Sequence, residues 1–435
     1  MPSWTPIVAL LIACVQTNAP PTPGARPPEY SPVVPLISGD RSSGLMVFFA
    51  YAGDAYRFRL RPHASRSDTF TVSIHDDTGV RTIAPPPVAT YRGALENRPR
   101  TAIHALRQGD RFTALITLPD RQLVIEPHDG AHIIYDARDR IPPDRRCRSH
   151  TPNDDDATPP TPRGAPFPSG TVIAQIGWDI DHDAFLRNGS DVDATVARTD
   201  FLMNIVNDVF ERDAGVTHTI EHIAIRTTPD ADPYTTNAGG PLLAQLATQW
   251  NRPPLRDVER DVVHLVTGRD IDNNATAGVA FVGTICNPSR GVSASEWAFN
   301  IADQRTVVAH ELGHNWGADH CDNSPNPCRL MCATLTLCDG GAAFGVDAID
   351  RIAATRDAAP CLVNSDDLVN TCTADFDADA VVDLGDFGRF SNAFGTRAGD
   401  PAYDNPADFD NDGDVDLGDF GVFGAQFGRT DCLSR

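Results

Sequence analysis

Of the 435 residues, the segment His310-Glu311-Leu312-Gly313-His314-Asn315-Trp316-Gly317-Ala318-Asp319-His320 constrains the fold most, because it spells H-E-x-x-H-x-x-G-x-x-H. His310 and His314 are four apart, so on a helix they share a face one turn from each other and can grip one cation. Glu311 sits on the same helix but beside that face, where its carboxylate reaches a water at the ion and is not itself a ligand. Gly317 adopts left-handed backbone at little cost, which lets the chain leave the helix and bring His320 to the same ion. Three imidazoles leave one vertex of a tetrahedral zinc open, the arrangement of a reactive site and not of a closed structural one. A water at that vertex has its pKa lowered to about 7, and Glu311 is placed to take its proton.

Eleven residues after His320 stands Met331, within Arg329-Leu330-Met331-Cys332. With this methionine the segment resembles the metzincins. The wording His-Glu-Leu-Gly-His-Asn-Trp-Gly, preceded by Gly278-Val279-Ala280-Phe281-Val282-Gly283-Thr284-Ile285-Cys286, resembles their adamalysin (reprolysin) branch. The resemblance implies a zinc endopeptidase with an α/β catalytic domain, in which a twisted mixed sheet is crossed by the zinc-binding helix. It also implies a methionine turn at Met331 beneath the metal, a rim strand whose residues 280–284 hold extended substrate, and a disulfide between Cys286 and Cys361. An ordinary core methionine is the alternative for Met331. One departure stands out: adamalysins usually place Asp directly after the third histidine, whereas here Cys321 precedes Asp322. The lower wall of the cleft and the pairing among Cys321, Cys328, Cys332 and Cys338 are therefore open.

The length suits about three domains, and a formal charge of −23 argues against nucleic acid or an anionic membrane as partner. Residues 7–15 form an apolar run too short to span a bilayer but suited to the core of a signal peptide over 1–22, although residues 1–6 carry no Arg or Lys. Leu11-Ile12-Ala13-Cys14 also resembles a bacterial lipobox, which would tether the protein by a lipid on Cys14; a plain secretory signal is the other reading. Either implies export and an extracellular protein.

Residues 25–147 alternate apolar and polar positions, with strands expected at 45–51, 56–60, 69–74 and 112–116. Tyr91-Arg92-Gly93, Leu123-Val124-Ile125-Glu126-Pro127 and His132-Ile133-Ile134-Tyr135 resemble the prodomain of adamalysins, which implies a zymogen; a stand-alone binding domain is the alternative. Residues 148–170, rich in Pro, Asp and Thr without apolar period, read as a linker. The catalytic domain is expected over 171–365. It should hold strands at 172–178, 220–225 and 262–266, and a helix at 193–212 whose apolar face carries Val196, Phe201, Ile205, Val209 and Phe210. The zinc helix is expected to begin near 305 or 306.

Of ten cysteines, nine remain once Cys14 is set aside, so an exported chain leaves one unpaired. Cys286 and Cys361 bracket the catalytic domain as an adamalysin disulfide does, four cluster behind the zinc helix, and Cys372 and Cys432 bracket the C-terminal residues. The odd one is Cys147, in Arg145-Arg146-Cys147-Arg148, where the cations should favour its thiolate. Cys147 is thus a candidate fourth zinc ligand of a latent form, freed by cutting near residues 145–148; an unremarkable free cysteine is the alternative. The four clustered cysteines admit a second zinc site instead of disulfides.

Residues 374–395 align with 407–428 at an offset of 33, with 15 of 22 positions identical. Each copy reads as a calcium loop of oxygen donors followed by a short helix. The first supplies Asp375, Asp377, Asp379, the Val381 carbonyl, Asp383 and Asp386, with Ala380 in place of the turn glycine. The second supplies Asp408, Asp410, Asp412, the Asp414 carbonyl, Asp416 and Asp419, with Gly413 at the turn. Phe387, Phe390 and Phe394, and likewise Phe420, Phe423 and Phe427, line one face of each helix, and the two faces should pack on each other. A duplicated loop and helix over 366–435 resembles a dockerin, a small all-α module. That implies calcium and admits a cohesin partner, although Leu384-Gly385 and Leu417-Gly418 stand where small hydroxyl residues are common; a calcium-stiffened end module with another or no partner is the alternative.

Together these features imply a secreted multidomain zinc metalloendopeptidase acting on proteins, with a β-rich prodomain and a calcium module. The alternatives are an inactive extracellular binding or scaffold protein and a metal-dependent hydrolase of a non-peptide bond.

Overall fold

The computed structural model describes residues 30–429 apart from 41–43, 96–100, 120, 138–145, 151–171, 274, 299, 323, 325, 335–342, 360, 365–373, 377–380 and 410–412. The leader with Cys14, the linker beyond His150, Arg145, Cys338, Cys372, Cys432, Asp377, Asp379, Asp410 and Asp412 lie outside the described residues.

The N-terminal third is built of strands β1 (Ser31–Val33), β2 (Leu36–Asp40), β3 (Gly44–Tyr51), β4 (Asp54–Pro62), β5 (Arg66–Asp76), β6 (Gly79–Ile83), β7 (Thr90–Leu95), β8 (Ala102–Gln108), β9 (Arg111–Thr117), β10 (Gln122–His128), β11 (Ala131–Asp136) and β12 (Arg146–His150). Alternation makes β4 a half-buried strand, with Tyr56, Phe58 and Leu60 inward and Arg57, Arg59 and Arg61 outward. Nine of these strands form one antiparallel sheet in the order β1-β11-β10-β9-β8-β7-β4-β3-β2.

The other three leave it for a second sheet. There follow β13 (Val172–Ile180), helices α1 (His182–Arg187) and α2 (Val192–Ala214), β14 (Val216–Arg226), α3 (Gly239–Trp250), β15 (Val262–Thr267), β16 (Thr276–Phe281), β17 (Val292–Glu296), α4 (Ile301–Asn315), α5 (Val346–Ala358) and β18 (Val363–Asn364). The second sheet runs β12-β16-β17-β15-β13-β14-β5-β6, with β18 on the start of β13. It is a mixed α/β sheet: β17, β15, β13, β14 and β5 are parallel, and β16 is antiparallel to β17. Helices cover both faces of its centre, so every position of β15 is buried, and its one polar ring, His264, is satisfied by the hydroxyls of Ser293 and Ser295.

The N-cap Asp191 of α2 accepts from the Ala194 N–H, and Val196, Phe201, Ile205, Val209 and Phe210 are all buried. One apolar core joins these side chains to Trp178, Leu312 and Trp316, and also to Phe70, Val72, Ile74, Leu115, Val124 and Tyr135 from the N-terminal third. Zinc-helix candidate α4 begins at Ile301, four residues before the expected start. Asn300 caps it, its side chain accepting from the Ala302 and Asp303 N–H groups. The expected rim strand also ends early, at Phe281. The N–H groups of Gly283 and Thr284 are spent on the carbonyls of His314 and Asn315, which closes the C-terminal end of α4.

Helices α6 (Leu384–Ala393) and α7 (Leu417–Gln426) follow the two repeats. Phe390 and Phe423 stack at 5.0 Å and are buried with Val382, Val415 and Ala407. The expected packing of the two aromatic faces is only partial: Phe394 and Phe427 stay 44% and 48% exposed.

Candidate metal and catalytic centre

Helix α4 is fixed at both ends. Asn300 caps its start, and at its end the Asn315 side-chain amide donates to the carbonyls of Phe281 and Val292 and to Thr284 Oγ1. Trp316 Nε1 donates to His218 Nε2 at 3.0 Å. The chain then reverses at Gly317, whose φ is +91° and on which a methyl group would lie 2.6 Å from Thr355 Oγ1. The turn returns His320 to His310 and His314.

The three Nε2 atoms lie 3.0, 3.1 and 3.2 Å from one another. Each of the two helical rings has its other nitrogen committed: His310 Nδ1 to the Leu330 carbonyl at 2.7 Å, and His314 Nδ1 to the Ala318 carbonyl at 2.6 Å. A carbonyl accepts only, so Nδ1 carries the proton and the Nε2 lone pairs face each other. Burial, together with the neighbouring imidazoles, lowers the pKa of His310 and His314, and burial lowers that of His320. Neutral rings with converging lone pairs repel one another unless a cation sits among them. Donors of a tetrahedral zinc lie about 3.4 Å apart, so this trio fits such an ion closely.

Met331 is fully buried under the site. Its Sδ would be 2.8 Å from a methyl group on Gly313, and the preceding Leu330 carbonyl is the one that orients His310. The segment Leu330-Met331 therefore both packs against the helix at Gly313 and orients the His310 ring. A pocket lined by Asp319, His320, Ser324, Asp347, Asp350 and Arg351 opens beside the third imidazole.

Glu311 is fully buried, and burial raises its pKa well above the ordinary carboxylate value. Among the described residues its carboxylate has no nitrogen or oxygen partner. It rests on β16 at Gly278, where a methyl group would sit 2.5 Å from Oε1 and 2.7 Å from Cγ. Any side chain at 278 would push it away.

Cys147 lies in β12, which pairs in parallel with the edge of β16 away from β17 in the register Cys147↔Gly278 and Arg148↔Val279. Its N–H donates to the Ala333 carbonyl. Cys147 is buried and unpaired, and its Sγ, a nitrogen of His310 and an oxygen of Glu311 all lie within 4.8 Å of one another. The expectation of a thiolate favoured by nearby arginines is corrected here. Burial, and then the Glu311 carboxylate beside it, push the thiol pKa well up, because the sulfur faces the inside of the cleft.

Among the described residues Cys286 pairs with Cys361, and Cys321 with Cys328. Cys332 is also disulfide-bonded. The cluster at 321–332 therefore forms disulfides and not a second zinc site.

In the C-terminal repeats the described candidate donors do local work. Asp386 accepts from the N–H groups of Phe376 and Asp383, and Asp419 does the same for Phe409 and Asp416. Asp383 and Asp416 cap α6 and α7. Asp408 accepts from the Gly413 N–H and Tyr403 Oη. Asp375, Val381 and Asp414 lie in the loops before the helices, with Arg397 and Asp414 bridged in antiparallel fashion. The clusters of three or more potential ligands among the described residues are the histidine trio, Cys147 with His310 and Glu311, and Asp261 beside the Cys286–Cys361 disulfide.

Sequence reasoning missed Asn300, Gly278 and the carbonyls of Leu330 and Ala318. An Asn followed by an acidic residue at 303 was a readable cap signal; the others depend on contacts far along the chain.

Residues 196–321 match the family description "Metallo-peptidase family M12B Reprolysin-like". Over 173 residues the chain is 26% identical to the snake venom metalloproteinase acutolysin-C of Deinagkistrodon acutus, a match covering 39% of this chain and 40% of that protein. Over 162 residues it is 23% identical to the snake venom metalloproteinase trimerelysin-2 of Protobothrops flavoviridis, covering 37% of this chain and 79% of that one. The chain thus spans about two-fifths of the length of acutolysin-C. From the matched span and the histidine trio within it, residues 196–321 are a reprolysin-like M12B metallopeptidase domain with weak similarity to the venom enzymes.

Proposed function

We propose that the protein is a secreted zinc-dependent endopeptidase held latent by the Cys147 strand. The observation that carries this reading is the convergence of three deprotonated Nε2 atoms with one buried, strongly basic carboxylate alongside. His310, His314 and His320 would hold zinc, which when bound polarises a peptide carbonyl and acidifies water. Glu311, its pKa raised by burial, accepts the proton of the attacking water and delivers it to the departing amine nitrogen. The carbonyls of Leu330 and Ala318 hold the His310 and His314 tautomers through the cycle. Once β12 is gone, the edge of β16 away from β17 offers main-chain groups at 278–281 to an extended peptide.

In the uncut chain β12 occupies that edge. Cys147 stands against His310 and Glu311, where a fourth donor would replace water, so the strand blocks both substrate and base. Cutting near residues 145–148 would free the cleft. Export rests on the apolar run at 7–15, with a lipid on Cys14 as the variant that would tether the protein to a membrane. Among the described residues no helix is long and apolar enough to cross a membrane. The two C-terminal loops would bind calcium through their aspartates, leaving the exposed Leu384 and Leu417 at the start of each helix for a cohesin-type partner.

The test uses Cys147→Ala protein, in which β12 has lost its metal donor and is left at the rim by backbone pairing that an extended substrate can displace. The variant should carry one zinc per chain by elemental analysis, degrade an unfolded protein, and stop under a chelator. In the same background Glu311→Ala should keep the metal and lose turnover. Zinc-loaded protein that cleaves no member of a broad peptide library would overturn the proposal and leave a binding or scaffold role.

A further inference from the structure

The N-terminal region meets the metallopeptidase sheet at two places of very different strength. At the rim only β12 is involved, five residues of backbone pairing with Cys147 inserted. At the opposite edge β5 pairs in parallel with β14 over the register His222↔Thr71 to Arg226↔His75, and β6 then covers β5.

That second seam is lined with buried polar pairs running from one region to the other. Arg66 donates to both oxygens of Asp200, which is fully buried. Glu221 accepts from the hydroxyls of Ser67 and Thr69. His222 lies between Thr71 Oγ1 and Ser73 Oγ, at 2.7 Å from each. Arg226, paired with Asp179 through both nitrogens, also contacts His75 Nδ1 at 2.7 Å. Asn204 reaches the His63 carbonyl, and Asn207 reaches Ser65 Oγ. Behind these, Phe70, Val72, Ile74, Leu115 and Tyr135 sit in one apolar core with Phe201 and Phe210 of α2.

Stripping the N-terminal region from this surface would leave the long edge of β14 without its partner strand. It would also leave Asp200 and Glu221 without the groups that satisfy them. Losing β12 would uncover the place of Cys147 and five paired positions of the β16 edge.

We propose that residues 30–136 remain bound to the metallopeptidase domain, without a covalent link, after the chain is cut on either side of β12. The edge of β14 is a strand-addition surface whose partner is the β5–β6 hairpin of this same chain. This deepens the latency reading given above and rests on it for one point, that β12 is the inhibitory element. Activation then consists of withdrawing β12 alone, and the working enzyme is a two-piece assembly. A single cut outside β12 is insufficient, since a whole strand carrying Cys147 and still joined to one piece returns to the rim at high effective concentration, whereas a cut at 145–148 falls at or within the strand itself.

The test places a site for one sequence-specific protease in residues 138–145 and another in 151–170 of the full chain, which is then cut while folded. The N-terminal and metallopeptidase pieces should elute together in one peak at physiological salt and neutral pH, with equal amounts of each by mass spectrometry and the β12 peptide gone. Cys147→Ala should leave this co-elution unchanged, whereas Arg66→Ala should lower the denaturant concentration at which the pieces separate. Pieces of the unaltered chain that elute apart under these conditions overturn the proposal, whether or not the metallopeptidase piece is active. One shared peak without proteolysis would uphold the assembly while sinking the endopeptidase reading.

Discussion

The two edges of the central sheet carry opposite kinds of residue. At the rim, β16 presents Gly278 to Glu311, and its partner strand β12 sets the buried Cys147 beside them. At the far edge, β14 sends Glu221, His222 and Arg226 into a web of hydroxyls, imidazole and carboxylates supplied by β5 and β13. A surface meant to be vacated is lightly held and lined with chemistry. One meant to stay covered has its buried charged groups partnered, Asp200 by Arg66, Arg226 by Asp179 and Glu221 by two hydroxyls. The comparison predicts that function and stability respond at different edges.

The largest expected effect is at the rim. In Cys147→Ala protein, Glu311→Gln should lower kcat by about 10²- to 10⁴-fold, the usual contribution of a positioned general base. Its thermal midpoint should hold or rise, because a buried carboxylate with a raised pKa is removed. A midpoint that falls by many degrees would show that Glu311 supports the fold and would blur the distinction between the edges.

At the far edge the effects should reverse. Arg66→Ala leaves Asp200 buried beside no cation, and breaking such a pair costs about 3–5 kcal/mol. Denaturant unfolding should show that loss while kcat of the Cys147→Ala enzyme barely changes. A large fall in kcat with normal stability would make β5 a part of the active site.

Acid should act on the same edge. Burial is the main reason that the pKa values of His75 and His222 fall to about 4; His75 is also beside Arg226, Asp179, Asp76 and His222, and His222 beside Asp179 and Arg226. Each ring is neutral when folded and gains its proton more readily when unfolded. Their contribution is therefore whole above about pH 6.5, and is lost as pH falls through the window from 6.5 toward 4, by up to about 3 kcal/mol each. Stability measured across that window should slope down toward acid, and His75→Gln should flatten the slope. An unchanged slope in that variant would place the acid sensitivity elsewhere.

How far the sequence carried depends on how local the determinant is. The histidine trio was legible because helix geometry and one glycine fix it within eleven residues. Residues 69–74 were legible as a strand, since alternation is also local, but not as a strand of the metallopeptidase sheet. Pairing with β14 joins residues about 150 positions apart, and Ser73 and His75 look solvent-facing until their partners are known. Gly278 stayed invisible for the same reason: its need to lack a side chain is imposed by Glu311, across the sheet register. The start of α4 was missed because Ile301-Ala302-Asp303-Gln304-Arg305 has no apolar period, although its cap is local.

That cap gives the smallest and most discriminating effect. Asn300 is fully buried; its side-chain oxygen accepts from the Ala302 and Asp303 N–H groups, while its amide contacts Tyr135 Oη on β11. The start of the helix that bears His310 is thus tied to the N-terminal sheet as well as to its own first turn. Asn300→Ala removes both functions and should cost about 1 kcal/mol for the cap, plus whatever the contact with β11 adds. Asn300→Ser keeps a capping oxygen but is too short to reach Tyr135, so the difference between the two variants measures the cap alone. If Ser restores full stability, the Tyr135 contact contributes nothing to holding the start of this helix. If Ser remains below the parent by a measurable margin in denaturant midpoint, and a Tyr135→Phe change removes that margin, the helix carrying the metal site is braced by the same region that completes the far edge of its sheet.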